Sequence, residues 1–266
     1  MPLNEKTIII DSGNVFSCGL FDRNILQDPR VEITRSFEKC SESYQKSSID
    51  WKKLKIEEND LEIDILRNDL NSNHNGDANG SKLSIKLFIF PDALNRYSNS
   101  DSRKLWLGEC VASILKLLNR NQIDTLILSI QTKEPDQVVT ILKSFWPFLE
   151  SLVMEKKICS IGVSDLTYNQ LSDLYDHAEH IKPSLTQINL ESCCDIPEDL
   201  SKFAKTNSIT VLTHNDTSEI LQMDKIQNFS FERSFKSHPK WLARYTFVLS
   251  DRGVVTSKAA AMIPVE

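Results

Sequence analysis

An α/β fold of the (β/α)8-barrel type is what this sequence predicts, on three observations. Apolar runs of strand length alternate with helix-length stretches at roughly 25 to 35 residues, the spacing that βαβ units need. Three successive runs, ICSIGV (158–163), TQINL (186–190) and ITVLT (209–213), each lead into polar residues. In a parallel sheet such turns gather at the carboxyl edge, where sites are built. Six such strands follow residue 84 and at least one precedes it, a count that suits a closed barrel better than an open sheet.

Taken in order, Thr7 to Ile10 reads as a strand ending at Asp11-Ser12-Gly13. Residues 23–47 have helix-like spacing in Leu26, Ile33 and Phe37, and the charge-rich stretch 49–70 places Trp51, Leu54, Leu61, Ile65 and Leu66 at near-helical intervals. Residues 68–81, NDLNSNHNGDANGS, form a polar run of turn dipeptides and read as a flexible loop. A strand over 87–90 precedes a helix over 104–118, with Leu107, Val111, Ile114, Leu115 and Leu118 on one side. After a strand over 126–130, a helix over 136–156 is expected to bend or break near Pro147. Thr167 three residues before Gln170 has the capping-box spacing, opening a helix that buries Leu171, Leu174, Tyr175 and Ala178. The next helix begins near Pro197, with Asp195 as its N-cap. Another starts near Ser218; residues 241–247 read as helical, and 254–256 as a last short strand.

The chain of 266 residues, 40% hydrophobic and 26% charged, has an ordinary globular balance and a length that one barrel domain over 1–266 fills. A net charge of −6 argues against a phosphate-binding surface and so against nucleic acid as a partner. No apolar run approaches the roughly 20 residues that span a bilayer, and the run of isoleucines at 8–10 is too short for a signal-peptide core. The reading is of a soluble, cytoplasmic protein with no membrane partner. GxGxxG and GxxxxGK[ST] are missing and glycine occurs 7 times in all, which excludes the usual dinucleotide and P-loop folds. The 6 cysteines make no CxxC pair and no zinc spacing with the 5 histidines. His177 and His180, at i,i+3 on an expected helix, read as a solvated face, so no metal is expected.

KICSIGVSDL (157–166) resembles the IGVSN segment of the aldo-keto reductases, and WLARYTFVLSDRGVVTSK (241–258) resembles their final helix and phosphate-binding strand. The similarity is closer to one divergent branch, the regulatory (modifier) subunits of glutamate–cysteine ligase. It is carried by IGVSDL, QINLESCC (187–194), PEDLSKFAK, LTHND (212–216) and WLARYTFVLSDRG, and covers residues 157–266; KLFIF (86–90) adds a weaker match. This resemblance implies an aldo-keto-reductase-like barrel. It also implies a non-catalytic chain that binds the catalytic subunit of the ligase as a heterodimer, improves its use of glutamate and relieves feedback inhibition by glutathione. The readings set against it are an NADPH-dependent reductase and a barrel-type interaction protein for another partner.

Reductase chemistry in that family needs a Tyr acidified by a Lys–Asp pair, with a His beside it. Asp92 and Tyr97 have the required Asp–Tyr spacing but follow the wrong strand. Asp92 then falls near the position of the Lys, where a negative charge raises rather than lowers a tyrosine pKa. They read as loop residues, and no catalytic set is expected. The resemblance places Ser164 and Gln187 where reductases hold the nicotinamide amide, and Asp165 where an Asn normally donates to the amide oxygen. His214 stands where a Tyr stacks on the nicotinamide, and Lys258 is a remnant of the phosphate site. Together these are vestigial cofactor-pocket positions, with no cofactor expected beyond weak residual NADPH binding. Cys193 and Cys194 are open to two readings: a redox-sensitive contact with the partner, or small residues of core and turn. His214-Asn215-Asp216 either belongs to the site or bonds within itself and caps the next helix.

Overall fold

The structure, a computed structural model, describes residues 7–16, 28–46, 52–56, 61–67, 80–189, 195–226, 239–249 and 253–263. It falls into two compact units, Leu83–Thr217 and a flanking unit made of Met1–Lys82 and Ser218–Glu266.

The flanking unit opens with β1 (Thr7–Asp11), the expected strand, and α1 (Pro29–Lys46). α1 begins on Pro29, whose fixed φ suits a first turn, and buries Ile33, Phe37 and Cys40 along one stripe. β2 (Lys52–Ile56) and β3 (Leu61–Arg67) then pair antiparallel, and β3 runs parallel to β1. This corrects the near-helical reading of 49–70. Leu61, Ile63 and Ile65 also satisfy a period of two, and for short apolar runs pairing decides between the patterns. Most of the stretch read as a loop, 68–79, lies outside the described residues.

The Leu83–Thr217 unit is the βα repeat. Its elements are β4 (Ser81–Ile89), α2 (Pro91–Arg96), α3 (Ser100–Leu117), β5 (Ile123–Ile130), α4 (Val138–Met154), β6 (Ile158–Ser164), α5 (Tyr168–His177), β7 (Leu185–Asn189), α6 (Glu198–Thr206) and β8 (Thr210–His214). The strands lie side by side in that order, all parallel, with Leu87, Leu128, Val163, Thr186 and Val211 in one register row. Such a sheet is buried on both faces, hence the near-continuous apolar runs of β4 to β6. α3 is capped by Asn99, which accepts from Ser102 N–H at 2.8 Å, and it buries Leu107, Val111 and Ile114 as expected. α4 continues through Pro147 instead of breaking there. The Thr167–Gln170 capping box at the start of α5 is present.

Two local expectations are corrected in this unit. α5 ends at His177, so His177 and His180 do not share a helical face, and among the described residues no group of His, Cys, Asp and Glu is placed to hold a metal. Pro197, not Asp195, occupies the N-cap of α6, since its fixed φ already sets the extended entry to the helix. The crossover from α5 to β7 is anchored by the buried Glu150 of α4. Its Oε1 accepts the backbone N–H groups of Glu179, His180 and Ile181 at 2.9, 2.9 and 3.0 Å.

The chain then re-enters the flanking unit through α7 (Met223–Ile226), β9 (Trp241–Leu249) and β10 (Val254–Ile263). α7 begins five residues beyond the expected start at Ser218. Residues 241–247 are a strand, not a helix. Trp241, Ala243, Tyr245 and Phe247 alternate into the core, β9 pairs antiparallel with β10, and Gly253 takes the left-handed φ of +61° in the connecting turn. β10 is correspondingly longer than the short strand expected. Two polar contacts tie this unit internally: Tyr245 donates to the buried Asp11 carboxylate at 2.8 Å, and Lys258 Nζ lies 2.6 Å from Glu32 Oε2. Among the described residues, no helix is long and apolar enough to cross a membrane.

Candidate functional site

At the carboxyl edge of the parallel sheet the register brings polar side chains onto one face. Lys86 lies in a row with Ile127, Gly162, Leu185 and Thr210; Ser164 and Gln187 stand two residues further along, and Asn189 and His214 two further again. Because side chains alternate along a strand, these positions share a face.

Lys86 is the centre of the group. Its Nζ donates to Ser164 Oγ at 2.9 Å and to Asp216 Oδ2 at 2.7 Å, and the side chains of Lys86 and Asp216 are only 4% and 3% exposed. Ser164 in turn donates to Asp165 Oδ2 at 2.8 Å. His214 Nε2 lies 2.9 Å from Asp165 Oδ1 and 3.1 Å from Ser164 Oγ, while Nδ1 accepts the Asp216 backbone N–H at 3.0 Å. Nδ1 also lies 3.4 Å from Asp216 Oδ2, and because a carboxylate can only accept, the contact with Asp165 places a proton on Nε2. Asn189 completes the closure, its backbone N–H reaching Asp165 Oδ1 at 3.1 Å and its Nδ2 the Asp216 carbonyl at 2.5 Å.

Asp165 sits in the left-handed region at φ +62°, a conformation that Asp tolerates better than most residues. Its N–H bonds the Gln187 carbonyl at 2.9 Å, and this turn delivers the carboxylate to Ser164 and His214. Burial pushes the Asp165 carboxyl up, but the contacts of His214, then of Ser164 and Lys86, outweigh it and hold the group below its ordinary value. It is therefore an acceptor and not a donor at neutral pH.

A serine beside a histidine suggests acyl-transfer chemistry, but the geometry does not provide it. A nucleophilic serine needs a base free to take its proton. Here the Ser164 proton points to Asp165, its lone pair takes the Lys86 ammonium, Nε2 carries a proton, and Nδ1 is engaged by the Asp216 N–H. The arrangement is a closed hydrogen-bonded network that joins β4, β6, β7 and the turn after β8.

Of the residues singled out from sequence, Ser164, Asp165 and His214 are thus brought together, with Gln187 beside them. Gln187 Oε1 is buried and has no protein partner among the described residues. Lys258 belongs to the flanking unit, where it pairs with Glu32. Cys193 and Cys194 lie outside the described residues. Asp92 is not a loop residue but stands exposed in the first turn of α2; Tyr97, just past the end of that helix, is one, and it stacks on Trp106 at 5.8 Å. Sequence reasoning missed Lys86 and Asn189. The signal for Lys86 was a charged residue inside the apolar run IKLFIF, since a lysine in such a strand is seldom fully buried unless paired.

The sequence matches the Aldo/keto reductase family over residues 71–247. With the parallel repeat of the Leu83–Thr217 unit, this bears out the aldo-keto-reductase-like α/β barrel class expected from the sequence. A human protein named glutamate–cysteine ligase regulatory subunit is 38% identical over 184 residues, 66% of this chain and 64% of that protein. A Schizosaccharomyces pombe protein named putative glutamate–cysteine ligase regulatory subunit is 30% identical over 128 residues, 47% of this chain and 44% of that one. The aligned part therefore spans less than two thirds of the length of these relatives. Among solved structures, an aldo/keto reductase from Brucella melitensis is similar over 44% of this chain and 41% of its own, with 20% identity and a TM-score of 0.35. The aldose reductase of Schistosoma japonicum is similar over 68% and 51%, with 17% identity and a TM-score of 0.35.

Proposed function

This chain belongs to the aldo/keto reductase family, and from that premise we propose that it is a non-catalytic regulatory subunit of glutamate–cysteine ligase, acting in the cytoplasm. It binds the catalytic subunit as a heterodimer, improves the use of glutamate and relieves feedback inhibition by glutathione. The observation that carries this reading is the 38% identity, over two thirds of the chain, to a protein named as that subunit. The family match over residues 71–247 includes Ser164, Asp165, Gln187 and His214, and here Ser164, Asp165 and His214 bond one another. An effector of this kind works by binding one state of its partner better than another. Its signature is a change in the partner's apparent affinities without any chemistry of its own.

The test is to mix the purified chain with the catalytic subunit, look for co-elution, and measure γ-glutamylcysteine formation while glutamate and glutathione are varied. A lowered apparent KM for glutamate together with a raised glutathione inhibition constant is expected. Two separate elution peaks and unchanged kinetics would reject the reading. NADPH oxidation with a panel of aldehydes is the companion measurement, and turnover there would restore the reductase alternative.

A further inference from the structure

The fold family implies a nicotinamide cofactor, and whether the residues here fit one is decided by their donors and acceptors. A carboxamide needs a donor for its oxygen and acceptors for its nitrogen. The Ser164 hydroxyl and His214 Nε2–H are both directed at Asp165, at 2.8 and 2.9 Å. The open group is an acceptor, Gln187 Oε1. A carboxamide nitrogen placed on it would leave the amide oxygen in want of a donor, and the Ser164 and His214 protons are already committed to Asp165. Nor can the donors simply swing away. Ser164 is held from behind by the Lys86 ammonium at 2.9 Å, and His214 is held at Nδ1 by the Asp216 N–H at 3.0 Å. Turning either donor away from Asp165 would also strain its second bond, to Lys86 or to the Asp216 N–H.

We propose that Lys86 closes this site: held by Ser164 and Asp216, it keeps the turns after β6 and β8 bonded to each other, and the nicotinamide of the family's cofactor does not seat there. Lys86 is thereby a positioning residue, a cation supplied by the chain itself in the middle of what would otherwise be a binding edge. The inference concerns this site alone and does not depend on whether the ligase catalytic subunit is the partner.

The experiment titrates NADPH into the wild-type chain up to about 1 mM, reading reduced-nicotinamide fluorescence alongside calorimetry. No saturable change in nicotinamide emission is expected. Heat of binding with unchanged emission, insensitive to Gln187→Ala, places the dinucleotide elsewhere and also supports the closed site. A saturable emission change that Gln187→Ala abolishes overturns the proposal. The part played by Lys86 is read separately from the His214 ring proton by NMR, where the wild type is expected to show a protected, slowly exchanging Nε2–H. The double variant Lys86→Met/Asp216→Leu removes both charges together and leaves neither unpaired. With circular dichroism unchanged, its ring proton is expected to exchange at least about tenfold faster. Unchanged protection in that folded variant overturns the role assigned to Lys86.

Discussion

Two lysine–carboxylate pairs, one in each unit, have nearly the same length and an equally buried carboxylate, and differ in how far the lysine reaches solvent. Lys86 and Asp216 meet at 2.7 Å with both side chains almost wholly buried, whereas Lys258 and Glu32 meet at 2.6 Å with the lysine 25% exposed. Distance alone would rate them equal. Desolvation separates them: a buried charge that loses its partner has no water to turn to, while a partly exposed one is screened. The first pair is also shared, since Lys86 bonds Ser164 and so reaches Asp165 and His214. The second closes one contact between α1 and β10, beside a separate Tyr245–Asp11 bond between β9 and β1.

The comparison is tested most severely by Lys86→Met, which leaves Asp216 buried and unpaired and is expected to destabilise the fold by about 3–5 kcal/mol in urea unfolding. The double variant with Asp216→Leu should recover most of that loss, and failure to recover it would show that the hydrogen bonds, not the charges, dominate. In the flanking unit Tyr245→Phe removes the hydroxyl donor from a buried carboxylate and should cost about 1–3 kcal/mol. Lys258→Met also leaves a buried carboxylate, Glu32, but at a site that water reaches along the lysine, and should cost about 1–2 kcal/mol; a loss equal to that of Lys86→Met would erase the distinction.

The smallest effect is a pH dependence. The folded Asp165 carboxyl lies below its ordinary value, so its ionised form stabilises the fold fully above the unfolded pKa of about 3.9, and that contribution fades as pH falls through the lower, folded pKa. Because the Asp165 side chain is 45% exposed and solvent screens it, Asp165→Asn should cost at most about 1 kcal/mol at neutral pH. Its urea midpoint should converge with that of the wild type in strong acid, and a gap that persisted there would contradict the assignment.

The repeat β4 to β8 was legible because apolar period, turn residues and the Thr167 capping box all point the same way. The turns holding Ser164, Asp165 and His214 were legible for the same reason. Lys86 was not, because its partner Asp216 is 130 residues away and no local pattern links them. An isolated lysine in a strand reads as a solvent-facing position. Residues 241–247 were misread because Trp241, Leu242 and Tyr245 fit a helical stripe as well as a strand. Only pairing with β10, which sets Ala259 opposite Tyr245, resolves it. The two cysteines, read either as a partner contact or as small residues of core and turn, lie outside the described residues.

Glu150 has a consequence for how the Leu83–Thr217 unit opens. Its carboxylate holds the amides of Glu179, His180 and Ile181, residues of a surface connection that would ordinarily exchange their hydrogens with solvent in seconds. Bound to a side chain 4% exposed on α4, these amides are released only when α4 leaves its place. They should exchange with the deuteration kinetics of the core strands, and a loop would then report the cooperative opening of the whole repeat.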